Sequence, residues 1–192
     1  NAAGSPLSVC FLSRITPKKN LAFALEALAK VRSPVEFHIY GPVEDEAYAA
    51  ACRKYIEERP RLSVTWHGHL AHDHVRPALR QHDLFIFPTH GENFGHVIFE
   101  SLAAGVPVLV SDETPWMDLD QRGAGWVRSL KDVQEFANVV DAYATASPAE
   151  RARFSKQAHD YARSVAESSA SVEANRALFQ KAVKRASGDV SV

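Results

Sequence analysis

Several short runs in this sequence are apolar at every position: Val9 to Leu12, Leu84-Phe85-Ile86-Phe87, and Pro107 to Val110. A strand with one wet face alternates apolar and polar residues. A strand without alternation must be covered on both sides, which is the habit of parallel sheets. Between these runs lie segments of helical period. Leu21, Ala24, Leu25, Leu28 and Val31 define one, and Tyr48, Ala51, Cys52 and Tyr55 mark another from about Asp45 to Glu58. Val35 to Tyr40, Leu62 to Trp66 and Trp126-Val127 complete the set of strands, and a short helix ends near Gln81. Strands that alternate with helices in this way predict an α/β fold, a doubly wound parallel sheet of about six strands with helices on both faces. The core is expected over residues 7–130 and extra C-terminal helices over 131–187.

In the C-terminal part, Val133, Phe136, Ala137 and Val140 line one helix. Ser147-Pro148-Ala149-Glu150 is a capping box with proline at the first helical position, and it opens a helix carrying Phe154, Ala158, Tyr161, Ala162 and Val165. A final amphipathic segment from about Glu167 to Arg185 ends in Lys181, Lys184 and Arg185, which suits a helix C-terminus. The tail after Ser187 is expected to fray. Asn1-Ala2-Ala3 reads as a linker or expression remnant, and the chain as a piece of a longer protein.

The chemistry concentrates between His90 and Gly105. Pro88 stops the Leu84–Phe87 strand, and Gly91 and Gly95 allow tight turns and close backbone approach. Phe94, Val97, Ile98 and Leu102 then recur at helical spacing, so a helix is expected from near Asn93, ended by Gly105 and Val106-Pro107. The free amides of a helix N-terminus attract anions, phosphates above all. A diphosphate at the amides of Gly95, His96 and Val97 would have Glu92 on one side. Glu100 would lie on the other, two turns inside the helix and roughly 12 Å along its axis. Carboxylates repel phosphate, so their presence needs a reason; a carboxylate accepts two hydrogen bonds from a vicinal diol, and sugars supply diols. The loop after the first strand has no glycine, which argues against a dinucleotide fingerprint. It carries Arg14 and, five residues on, Lys19, two cations at the carboxyl end of a parallel strand.

Glu92 and Glu100 form a Glu-x7-Glu pair inside Gly-Glu-x-Phe-Gly, and this resembles the signature of retaining glycosyltransferases of family four, which have the GT-B fold. The Arg14–Lys19 spacing, the His67-Gly68 turn, Thr114-Pro115-Trp116 and Gly123-Ala124-Gly125 are similar to features of the same family, over about Val9 to Lys131. Asn93 stands where the family often has glycine, and Ser13 precedes Arg14 where glycine is frequent; asparagine tolerates positive φ. The resemblance implies the Rossmann-like C-terminal, donor-binding domain of an enzyme that moves a sugar from a nucleoside-diphosphate sugar with retention, a hexosyltransferase-like activity. It implies Arg14, Lys19 and the Gly95, His96 and Val97 amides on the diphosphate, Glu100 on the ribose and Gly68 beside the nucleobase. Gly91, Asn93 and Phe94 complete the donor loop. Glu92 becomes the candidate catalytic residue against the donor sugar, without being assigned as a nucleophile. No cofactor and no metal are implied, because cations and amides carry the leaving-group charge. The partners implied are the nucleotide-sugar donor and an N-terminal acceptor-binding domain absent from this chain, so this chain alone is expected to be inactive. Two other readings stay open: a non-catalytic nucleotide-sugar or phosphate-binding module, and a sugar-nucleotide epimerase of the same fold.

Composition narrows the classes further. A net charge of −1 gives no overall field to draw nucleic acid or anionic membrane. No apolar run approaches the ~20 residues of a membrane span. Peripheral attachment through the rest of the protein is left open, and the expected location is cytoplasmic, extending to the inner membrane face. Cys10 and Cys52 have no metal spacing and read as buried thiols. His67, His69, His72 and His74 are dense but match no ligand spacing, and Asp118-Leu119-Asp120, a metal-binding spelling in other glycosyltransferases, reads here as solvent-exposed acids on a helical turn.

Overall fold

The computed structural model describes residues 5–168. The elements run β1 (Leu7–Leu12), α1 (Leu21–Ala29), β2 (Val35–Tyr40), α2 (Glu46–Glu57), β3 (Ser63–Gly68), α3 (His72–Leu79), β4 (Leu84–Phe87), α4 (His96–Ala103), β5 (Val108–Ser111), α5 (Leu119–Arg122), β6 (Gly125–Arg128), α6 (Val133–Ala144) and α7 (Pro148–Glu167). All six strands form one sheet in the order β3-β2-β1-β4-β5-β6, and every pairing is parallel. The expected α/β sheet is therefore the observed one. The amphipathic segment expected after Glu167 lies, beyond Ser168, outside the described residues, as do Asn1-Ala2-Ala3.

The burial of each strand follows its position. β4 and β5, the all-apolar runs, are fully buried along their length. β3 at the sheet edge alternates exposed and half-buried residues. There Trp66 packs one face against α2, with the Arg53 guanidinium 4.8 Å from its ring centroid. The core gathers Phe11, Phe37, Phe85, Phe87 and Phe136, all fully buried. Cys10 and Cys52 are buried free thiols, and burial pushes the pKa of both up.

Three helices start on side-chain caps. Asp45 caps α2 by accepting from the Tyr48 amide, Asp132 caps α6 by accepting from Gln134, and Ser147 with Glu150 forms the capping box of α7. The stretch between β5 and β6 contains the single turn α5, with Asp118 at its start, in agreement with the helical turn expected for Asp118-Leu119-Asp120. No helix among the described residues is long and apolar enough to cross a membrane.

The strand order reverses between β1 and β4. The chain winds β1, β2, β3 to one side, then returns to β4 and winds β5, β6 to the other. The loops leaving β1 and β4 therefore lead away in opposite directions, and the carboxyl ends of these two strands mark the crevice position at which open parallel sheets bind ligands.

A polar cluster is inlaid among these strands. The His82 ring is buried with Nδ1 2.8 Å from the Ser8 hydroxyl and Nε2 3.1 Å from the Tyr40 hydroxyl. Either neutral tautomer donates to one hydroxyl and accepts from the other. His38 Nδ1 lies 3.0 Å from His67 Nε2, and the His67 ring stacks on Tyr40 at 4.3 Å. Burial, then the neighbouring His38 and His67, push the His82 pKa down from 6.5 to about 4, against a smaller opposing pull from Asp83. Since the folded state holds this proton less well than the unfolded chain, the stability His82 contributes is present above pH 6.5 and is lost as pH falls towards about 4. Urea unfolding at pH 7, 5.5 and 4 is expected to show a decline with a His82 share of roughly 2–3 kcal/mol. His82→Gln flattens that share; superimposable pH profiles for the two proteins contradict it.

Candidate functional site

The crevice is built from two loops held against each other. After β1, Ile15 turns the chain by donating to the Pro42 carbonyl at 2.9 Å. Pro17 starts a 3₁₀ turn, and Asn20, the one non-glycine with positive φ (61°) among the described residues, ends it and opens α1. After β4, Pro88 cannot continue the ladder, and Thr89 to Phe94 cross the top of the sheet. Thr89, fully buried, ties the two loops: its hydroxyl lies 3.2 Å from the Lys18 carbonyl and 3.3 Å from the Gly91 carbonyl, and accepts from the Gly91 amide at 3.3 Å. The His90 amide donates to Lys18 O at 2.9 Å, and Ser111 Oγ, buried at the end of β5, donates to Thr89 O at 2.5 Å.

Gly95 then takes φ +78°, and a Cβ there would lie 2.8 Å from the Ile98 side chain. This left-handed residue is the N-cap, so α4 begins at His96 and not near Asn93, where periodicity alone puts its start. Asn93 needs no positive φ. Glu100 is consequently little more than one turn into the helix, not two. Ile98 and Phe99 both donate to Gly95 O, which leaves the His96 and Val97 amides without a backbone acceptor among the described residues.

The two cations of the β1 loop do not stand side by side as an open pair. Lys19 is almost wholly buried; its ammonium contacts the Glu92 carboxylate and lies 5.5 Å from the Phe87 ring centroid. Arg14 is exposed and holds Glu44 with its Nη1 at 2.8 and 3.0 Å from the two carboxylate oxygens. Glu92 is fixed at its backbone by donating to Glu113 O at 3.2 Å. The Glu100 carboxylate has no hydrogen-bond or ionic partner among the described residues. Gly68 takes φ +78°, and its carbonyl accepts from Gly41 at 2.7 Å, so the β2 and β3 loops meet beside the crevice.

The rim of the site is aromatic. Phe94 is 40% exposed, 5.1 Å from the His96 ring and 5.5 Å from Trp116, whose indole N–H donates to Phe94 O at 2.5 Å. Trp116 packs edge-on against Tyr161 of α7. His90 and His96 are exposed beside Glu92.

Asp118 and Asp120 lie at the surface on a helical turn, as expected, with side chains 36% and 43% accessible, but both are paired. Burial alone would push the Asp118 carboxyl up, but hydrogen bonds from Tyr161 and Arg122 hold it below the usual range. Asp120 accepts from the Val127 amide and from Arg128. Both acids therefore pin α5 and β6. His67 is taken up by His38 and Tyr40, and among the described residues no group of three potential ligands is placed to hold a metal.

Sequence reasoning missed Glu44, Thr89 and Ser111. Each acts through contacts with residues distant in the chain, and nothing in their local pattern marks them.

With this geometry in place the comparisons are specific. The chain belongs to the glycosyl transferases group 1 family, whose profile matches residues 6–145. The amylovoran biosynthesis glycosyltransferase AmsK of Erwinia amylovora is 24% identical over 152 residues, 73% of this chain and 36% of AmsK. Anabaena Alr3699/HepE, solved with UDP-glucose, superposes with a TM-score of 0.74 at 23% identity, covering 82% of this chain and 44% of HepE. WaaG, a glycosyltransferase involved in lipopolysaccharide biosynthesis, gives 0.69 at 21%, covering 83% and 43%. The chain thus spans between a third and a half of these relatives' lengths. Its sheet and flanking helices are those of GT-B glycosyltransferases.

Thr89→Val, nearly the same in shape, removes the tie between the loops and leaves the half-buried Gly91 amide without its acceptor. The expected loss is about 1–3 kcal/mol in urea unfolding, with faster hydrogen exchange at His90 and Gly91. Unchanged stability and exchange would place the tie elsewhere.

Proposed function

We propose that this chain is the donor-binding part of a glycosyltransferase that moves a sugar from a nucleoside-diphosphate sugar to an acceptor, with retention and without a metal. The observation that carries the reading is the Lys19–Glu92 contact, which joins the β1 loop to the loop that leads into α4, where the His96 and Val97 amides and the Glu100 carboxylate have no partner among the described residues. The leaving group of such a reaction is a diphosphate. Lys19, Arg14 and the His96 and Val97 amides stabilise the charge that develops on it, which is the work a divalent cation does in other enzymes. Glu100, one turn into the helix, accepts from the ribose diol. Gly68 and Gly41 border the nucleobase, and Gly91, Asn93 and Phe94 close the donor loop. Glu92 contacts the donor sugar. The acceptor site belongs to a second domain, and closing the cleft between the two excludes water and aligns the acceptor.

Thermal shifts with UDP, GDP, ADP and CMP identify the base, and calorimetry then tests the residues. Lys19→Ala is expected to weaken the preferred nucleoside diphosphate by about 1.5–3 kcal/mol, with Arg14→Ala losing less because its charge is screened by solvent. Binding persists in EDTA. Affinity unchanged in Lys19→Ala, or binding that vanishes on chelation and returns with Mg²⁺, sinks the proposal.

Glu100→Gln keeps the shape and removes the charge. It is expected to weaken nucleoside diphosphates while sparing inorganic pyrophosphate; equal loss for both ligands makes Glu100 structural.

A further inference from the structure

The ion pair between Lys19 and Glu92 places a carboxylate on the very ammonium that the proposed function assigns to the diphosphate. We propose that this pair is an exchangeable latch, and that Glu92 makes the site discriminate between a nucleoside-diphosphate sugar and the bare nucleoside diphosphate. The inference rests on the reading that Lys19 holds the diphosphate.

The two side chains are only 11% and 16% exposed, so solvent and salt screen their attraction little. The Lys19 amine is seated over Phe87 at the end of β4 and its stem is buried, so the cation is fixed in place. Glu92 differs. Its backbone is held through Glu113, and rotation about its two methylenes moves the carboxylate without moving the loop. A diphosphate arriving at Lys19 meets Glu92 already there, and two anions on one ammonium repel. For the bare diphosphate, Glu92 either stays and repels, or leaves and gives up the Lys19 ammonium with no ligand hydroxyl to replace it. A donor sugar changes that balance. Its hydroxyls lie beside the phosphate to which the sugar is bonded, and they donate to the carboxylate that Lys19 releases. The sugar-bearing donor thereby replaces what Glu92 gives up, and the diphosphate left after transfer does not. Glu92 then returns to Lys19 and helps to expel the product.

The effect of removing one partner separates this from a purely structural ion pair. In a structural pair, removing either partner harms the site. In a latch, removing Glu92 frees the cation and tightens diphosphate binding, and that gain depends on Lys19.

The test measures the affinity of this chain for inorganic pyrophosphate, UDP and UDP-glucose by calorimetry at fixed ionic strength. It compares the wild type, Glu92→Gln, Lys19→Ala and the double variant. Glu92→Gln is expected to tighten pyrophosphate and UDP about tenfold, a magnitude in the range of one charge-assisted contact. UDP-glucose is expected to gain nothing, so the preference for donor over product falls by the same factor. The gain disappears in the Lys19→Ala background, as a direct coupling requires. Glu92→Gln is also expected to melt lower than the wild type without ligand, because it leaves a buried ammonium unpaired, and to be raised more by pyrophosphate. Should Glu92→Gln fail to fold, Glu92→Ala carries the same expectations with pyrophosphate present during refolding. A Glu92 variant that binds pyrophosphate no better than the wild type, while Lys19→Ala still weakens it, overturns the latch and leaves the donor site standing. Pyrophosphate affinity unchanged by Lys19→Ala overturns both.

Discussion

The whole site depends on the stitch between the loops that leave β1 and β4. Those strands are neighbours, yet the chain winds away from them in opposite directions, and nothing in the sheet ladder joins the two loops. Two bonds do, from the Thr89 hydroxyl and the His90 amide to the Lys18 carbonyl, while the Ser111 hydroxyl at the end of β5 holds the Thr89 carbonyl. They fix the carboxyl end of one loop over the start of the other. Lys19 and Glu92, far apart in sequence, are then forced into contact one residue beyond Lys18 and three beyond Thr89.

The stitch holds a concentration of electrostatic opposites, and keeps Lys19 and Glu92 at its centre largely out of water. The α4 amides and the cations favour an anion; Glu92 and Glu100 disfavour one. Such an arrangement is costly unless a ligand brings both phosphate and hydroxyls. Without ligand, the protein lowers that cost by pairing its own groups, Lys19 with Glu92 and Arg14 with Glu44. Of these acids and cations, Glu100 is left without a partner among the described residues, half-buried on α4.

Much of this was legible in the sequence. The unbroken apolar runs declared buried parallel strands, and the helical periods between them set the layer order, because both signals are local and strong. The glutamates and the cations stand out through their spacing. Periodicity misplaces the α4 boundary because Phe94 continues the helical period, while the left-handed Gly95 overrides it; periodicity does not report φ. The pairing state of Lys19 and Arg14 was not legible, since Glu44 and Glu92 reach them only through the fold. The pairing of Asp118 and Asp120 was hidden for the same reason: their partners, Tyr161, Arg122 and Arg128, are set by the packing of α5, β6 and α7. Of the four clustered histidines, His67 stacks on Tyr40 and pairs with His38 of the adjacent strand, a neighbour that only the sheet order supplies.

The central claim is that the β1–β4 crevice is a diphosphate site completed by the N-terminus of α4. A crystal structure of this chain with UDP-glucose tests it most directly. The account predicts phosphate oxygens within hydrogen-bond distance of Lys19 Nζ and of the His96 and Val97 amides, the ribose against Glu100, and Glu92 turned from Lys19 to the sugar. A diphosphate bound elsewhere, or one held through a metal at Asp118 and Asp120 with the Lys19–Glu92 pair intact, would contradict it.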